Sequence, residues 1–107
     1  MHGHPHALLY CRSARNSARA LEAQEERCKR RAVEEGAATT ATIFDHGPAA
    51  AGLDRPAVAE VRRWLQSGSV DPLIVDSPQR LTHSVADLGA LRQEVAQAGA
   101  RLLFVSP

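Results

Sequence analysis

The chain has 107 residues, 44% of them hydrophobic and 23% charged, with a formal net charge of +1. That length suits one domain with a buried core and is too short for two. The near-neutral balance excludes a domain that holds DNA by overall charge alone, and an aromatic content of 4% excludes a stacking platform for single-stranded bases.

Residues 1 to 6, MHGHPH, read as a flexible N-terminal segment, and 7 to 107 as a single domain. His2, His4 and His6 are spaced closely enough to chelate, but nothing nearby completes a site, so no metal and no cofactor is expected. The segment lacks the basic-then-apolar order of a signal peptide. No apolar run approaches the roughly 18 to 20 residues that span a bilayer, so a cytoplasmic chain without a membrane partner is expected. Cys11 and Cys28 are not a short-spaced pair, and reduced thiols follow from that setting.

ALLYC, 7 to 11, is a short apolar run of the kind buried on both faces of a parallel sheet, and the polar RSARNS after it reads as a loop. Ser17 or Asn16 can cap a helix running to about Glu35, with Leu21, Cys28 and Ala32 on one face and Gly36 at its end. EERCKRR, 25 to 31, spreads charge over the exposed side of that helix and allows Glu26 to pair with Lys29 or Arg30. TTATIFD, 39 to 45, is β-branched and predicts a second strand, followed by the loop HGPAAAGLD.

Pro56 suits a first helical turn, and Val58, Val61, Trp64 and Leu65 make a core-facing stripe that stops near QSGS. PLIVD, 72 to 76, predicts a third strand and SPQRLTH a loop. Ser84 with Asp87 resembles a capping box, opening a helix whose buried face is Val85, Leu88, Leu91 and Val95. Gly99 ends it and RLLFV, 101 to 105, is the fourth strand. This alternation predicts a three-layer α/β/α fold with a mainly parallel four-stranded sheet, and places the site on the loops at the carboxyl edge of the strands.

Three of those loops carry a family resemblance. Tyr10 with Arg12 and then LEAQ, ending at Gln24, resembles the opening Tyr-x-Arg-x-Ser stretch and first helix of the serine recombinases, the resolvase and invertase group. IFDHGPAAAGLDRPAV, with Asp45 and Arg55, is similar to that family's second-strand segment, and DPLIVDSPQRLTHSVADL, with Arg80, to its third strand and Asp-Arg-Leu-x-Arg loop. The resemblance implies a resolvase-like fold and a chemistry in which a serine hydroxyl attacks a DNA phosphodiester while guanidiniums neutralise the developing charge.

Carried over by position, the resemblance makes Arg12, Arg55 and Arg80 phosphate- or DNA-binding residues, with Tyr10, Gln24, Asp45, Gln79 and His83 as neighbours of the site. Arg-x-Ser counted from Arg12 arrives at Ala14, which has no nucleophilic atom. The serine usual in the second loop falls on Ala49, the aspartate before Arg80 on Gln79, and the last arginine of that loop on His83. If the strand geometry persists, Ser13 points away from Arg12, and Ser17 reads better as a helix cap.

The expectation is a recombinase-like domain without catalysis that associates with DNA, with itself or with another protein; an active DNA-cleaving recombinase domain is the alternative. A nucleotide sensor ranks last, because no Gly-rich phosphate loop is present. Arg55 pairing with Asp54 or Asp45, and Arg80 with a helix carboxylate, are the readings that compete with an anion pocket. The resemblance implies a long dimerisation helix and a DNA-binding region after the fourth strand; residues 1 to 107 stop short of both, as expected either for a truncated stand-alone relative or for a fragment of a longer protein.

Overall fold

The computed structural model describes residues 5–46 and 52–106. In chain order it contains β1 (His6–Ser13), α1 (Ala18–Glu34), β2 (Ala38–His46), α2 (Pro56–Ser67), β3 (Leu73–Val75), the single turn α3 (Pro78–Leu81), α4 (Val85–Gln97) and β4 (Leu102–Phe104). The four strands form one sheet in the order β2-β1-β3-β4, and every pairing is parallel.

That order explains the layers. The chain leaves β1 in one direction to form β2, then turns back across the sheet for β3 and β4. Crossovers of one hand therefore put α1 on one face and α2 and α4 on the other. The core divides accordingly. Ala7, Leu9, Cys28, Ala32, Ala37 and Ile74 cluster beneath α1, while Leu8, Tyr10, Ile43, Leu73 and Val75 meet Val58, Val61, Leu65, Leu91 and Val95 on the opposite side. Alternate residues of β1 feed both clusters, which is why its apolar run shows no alternation.

Local signals set the helix limits. Ser17 is the N-cap of α1, its side chain accepting from the N–H of Ala20, and Asn16 precedes it at φ 52°. Gly68 closes α2 in the left-handed region, where a residue without Cβ is unstrained. The hydroxyl of Ser84 accepts from the N–H of Asp87, but the reciprocal arm of a capping box is replaced by Thr82, which accepts from the N–H of Ser84.

Three expectations are corrected. β1 does not end at Cys11: it runs on through Arg12 and Ser13 because β2 supplies register partners in Asp45 and His46. The segment read as a loop before α4 folds one helical turn, α3, which buries Leu81 in the core. Val85 does not belong to the buried face of α4. It is 87% exposed, because the packed stripe starts one turn later at Leu88. Trp64 does pack against the larger core cluster, partly buried. On the surface of α1, Glu26 pairs with Arg30 and Glu25 with Lys29, each at 3.8 Å.

Candidate functional site

The direction of chain travel reverses between β1 and β3, so the loops after these strands diverge and leave a crevice at their carboxyl ends, the usual place for a site in an open α/β sheet. β3 pairs with β1 only as far as Tyr10. Beyond it, Arg12 has lost its β3-side neighbour. Gln24, fully buried in the middle of α1, takes that place: its carboxamide accepts from the Arg12 N–H at 3.0 Å and donates to the Arg12 C=O at 2.8 Å. A polar side chain thereby completes a strand edge, and both backbone groups are satisfied away from water.

A second device acts on the β2 side. The register shifts between Ala7 and Leu8, so that Ala7 pairs with Thr39 and Leu8 with Ala41. The extra residue, Thr40, alters the parity of β2 and brings Asp45 level with Arg12 on the face that also carries Tyr10. Asp45 and Arg55 form an ion pair at 2.9 Å with side chains 6% and 5% exposed. The Tyr10 hydroxyl donates to Asp45 and accepts from Arg55 Nη2 at 2.8 Å. Arg55 also donates to the carbonyls of Gly52 and, at 2.7 Å, Leu81. Burial, reinforced by the hydrogen bond to Asp45, pushes the Tyr10 phenol well above its ordinary range.

Of the three arginines, Arg12 and Arg55 are thus buried, at 4% and 6% exposure. Arg55 is committed to Tyr10, Asp45 and two carbonyls, so the pairing with Asp45, and not with Asp54, is the one formed. Arg80, on α3, is the most open of them. Its side chain is 36% exposed, with Nη1 3.4 Å from the Arg12 carbonyl and Nε 3.8 Å from Asp76 Oδ2. The carboxylate beside it therefore comes from the end of β3 and not from a helix.

Ala14 lies exposed in the turn after β1. Ser13 is buried, and its hydroxyl accepts from the Ser17 N–H at 3.0 Å. Register alternation points it to the α1 side, opposite Arg12, Tyr10 and Asp45. Gln79 and His83 are both exposed. Ala49, His2 and His4 lie outside the described residues.

Sequence reasoning missed Asp76 and Arg27. Arg27 sits in the charge-rich stretch of α1 and forks onto Asp76 through Nε at 2.7 Å and Nη2 at 2.9 Å. The available signal was positional: Asp76 is the last residue of the predicted third strand, and side chains at that end of a parallel strand line the crevice. A cavity of about 480 Å³ between α2 and α4, lined by Arg62, Leu65 and Glu94 among others, lies away from all of these groups. Among the described residues, no three His, Cys, Asp or Glu side chains gather as a metal site would require, and no helix is long and apolar enough to cross a membrane.

Comparison with known proteins gives one consistent result. The family model described as the resolvase N-terminal domain matches residues 7–107. Among solved structures, the chain is similar to the C-terminal catalytic domain of ISC1926 TnpA, an IS607-like serine recombinase, at 18% identity and a TM-score of 0.84, covering 94% of this chain and 67% of that one. It is similar to the N-terminal catalytic domain of TP901-1 integrase at 22% identity and a TM-score of 0.83, covering 94% and 77%. A resolvase family site-specific recombinase from Streptococcus pneumoniae matches at 20% identity and a TM-score of 0.77, covering 94% and 72%. A search of curated proteins returns no match.

Proposed function

The chain belongs to the resolvase N-terminal domain family, and from that premise we propose that it is a serine recombinase-like domain that engages DNA phosphates through Arg80, beside Arg12, without cutting the strand. The observation that carries the reading is at the end of β1. The position where the family pattern calls for serine is Ala14, exposed in its turn, and the neighbouring hydroxyl of Ser13 is buried on the other side of the sheet as the acceptor for the Ser17 N–H. Ser17 in turn holds the N–H of Ala20 as the helix cap. The Ser13 hydroxyl faces away from Arg12 and that of Ser17 is engaged as a helix cap, which supports the reading that no phosphoserine link forms at this turn.

The phosphate-binding part of the reading is supported by rigidity. Gln24 fixes the backbone of Arg12, Asp45 lies level with it, and Arg80 reaches over its carbonyl. Arg55 serves this site indirectly, by tying the start of α2 to β1 and β2 through Asp45 and Tyr10. A planar guanidinium on a helical turn, partly open to solvent, suits a DNA phosphate. DNA is the partner proposed; association with a second copy or with another protein is the competing use of the same fold.

Two measurements test this. The chain is incubated with nicked recombination-site duplex and searched by mass for a serine-linked DNA adduct; none is expected, and its detection refutes the non-catalytic reading in favour of an active recombinase domain. Fluorescence anisotropy of labelled duplex DNA, at low and moderate salt, is expected to show salt-sensitive binding. Arg80→Ala should weaken it, with the log–log salt slope reduced by about one. Absence of binding at low salt refutes the DNA reading and leaves protein association.

A further inference from the structure

Asp76 closes β3 at the crevice between β1 and β3, and it is 8% exposed. Both ends of the residue are held. Its carbonyl accepts from the Ser106 N–H at 2.8 Å, and its carboxylate receives the two-pronged guanidinium of Arg27 at 2.7 and 2.9 Å. A bidentate fork of this kind fixes orientation as well as distance. The carboxylate therefore cannot swing out of the crevice when another anion approaches. The oxygen that accepts from Arg27 Nη2, Oδ2, is also the one 3.8 Å from Arg80 Nε.

We propose that Asp76 is an internal competitor for the anion at Arg80: anchored by Arg27, its carboxylate shares the guanidinium that a DNA phosphate would use, and so holds nucleic-acid affinity down. A phosphate seated on Arg80 lies within a few ångströms of a fixed negative charge. Salt screens such repulsion little, since the screening length at 0.1 M is about 10 Å. The contact sets how strongly the site binds phosphate without touching DNA itself. This rests on the reading of Arg80 as a phosphate contact.

The test uses the whole chain, a labelled DNA duplex and two variants. Asp76→Asn removes the charge and keeps the shape. Asp76→Asn combined with Arg27→Gln removes one charge of each sign, leaves the net charge of the chain unchanged, and avoids stranding a guanidinium without its partner. Both are expected to bind DNA about tenfold more tightly than the parent at low salt, with the log–log slope unchanged, because Arg80 makes the same one phosphate contact in all three proteins.

If the parent binds in a salt-sensitive way and Asp76→Asn is unchanged or weaker, the competitor is refuted while the DNA reading stands. If the single variant tightens but the double variant returns to the parent value, the effect is one of net charge, and the proposal is likewise overturned. If neither parent nor variants bind, the DNA reading itself has failed. Should Asp76→Asn not fold, as judged by thermal unfolding, the double variant decides the matter alone.

Discussion

Replacing Asp45 with alanine should cost this domain a large part of its stability. The ion pair it makes with Arg55 is closed to solvent on both sides, at 6% and 5% side-chain exposure, and its Nε to Oδ2 distance is 2.9 Å. At an effective dielectric constant near 20 the attraction is about 6 kcal/mol. Part of that offsets the cost of taking two charges out of water, yet the variant recovers only the carboxylate's share and leaves the guanidinium buried without its counter-charge. The expected loss is therefore about 3–5 kcal/mol. A domain of this length has roughly 5–15 kcal/mol in all.

Urea unfolding followed by fluorescence of the single tryptophan, Trp64, which packs on the core, reads the change directly. Asp54→Ala, at an exposed carboxylate one residue before Arg55, is the control and should stay within about 0.5 kcal/mol. A loss below about 1 kcal/mol for Asp45→Ala, the size of a surface pair, would refute the argument.

Three further outcomes follow from the same geometry. Burial and the bond to Asp45 raise the Tyr10 pKa above its ordinary value of 10.0, so the stabilising contribution is complete below that pH and is lost as pH rises past it, where the unfolded chain ionises first; Tyr10→Phe should remove this alkaline loss from a stability-versus-pH curve, and an unchanged curve would contradict it. Gln24→Leu removes the acceptor of the Arg12 N–H and leaves the Arg12 C=O only its 3.4 Å contact with Arg80, which should cost about 1–3 kcal/mol and speed exchange of the Arg12 amide relative to that of Leu9; equal exchange at both would show the clasp to be dispensable. Ser17→Ala removes the cap of α1 and should lower stability by about 1 kcal/mol in thermal unfolding.

The apolar runs, the glycine stops and the serine caps were enough to determine four strands, three long helices and their alternation, because each depends on neighbours a few residues away. The arginines at 12, 55 and 80, and the alanine at 14, were singled out by the family resemblance of three loops and not by periodicity. Their separate fates were legible in neither. Whether Arg55 is buried on Asp45 or open to a ligand depends on which face of β2 carries Asp45, and that is set by one extra residue in the register with β1. Gln24 acquires its role because β3 stops short of Arg12, a matter of strand length on a partner many residues away. Asp76 and Arg27, 49 positions apart in the chain, meet because α1 crosses the sheet above the end of β3. Periodicity reports which side of an element is apolar; only the packed structure decides which polar groups on different elements come within hydrogen-bonding distance, since that distance is a sum of register, twist and strand length that no single segment encodes.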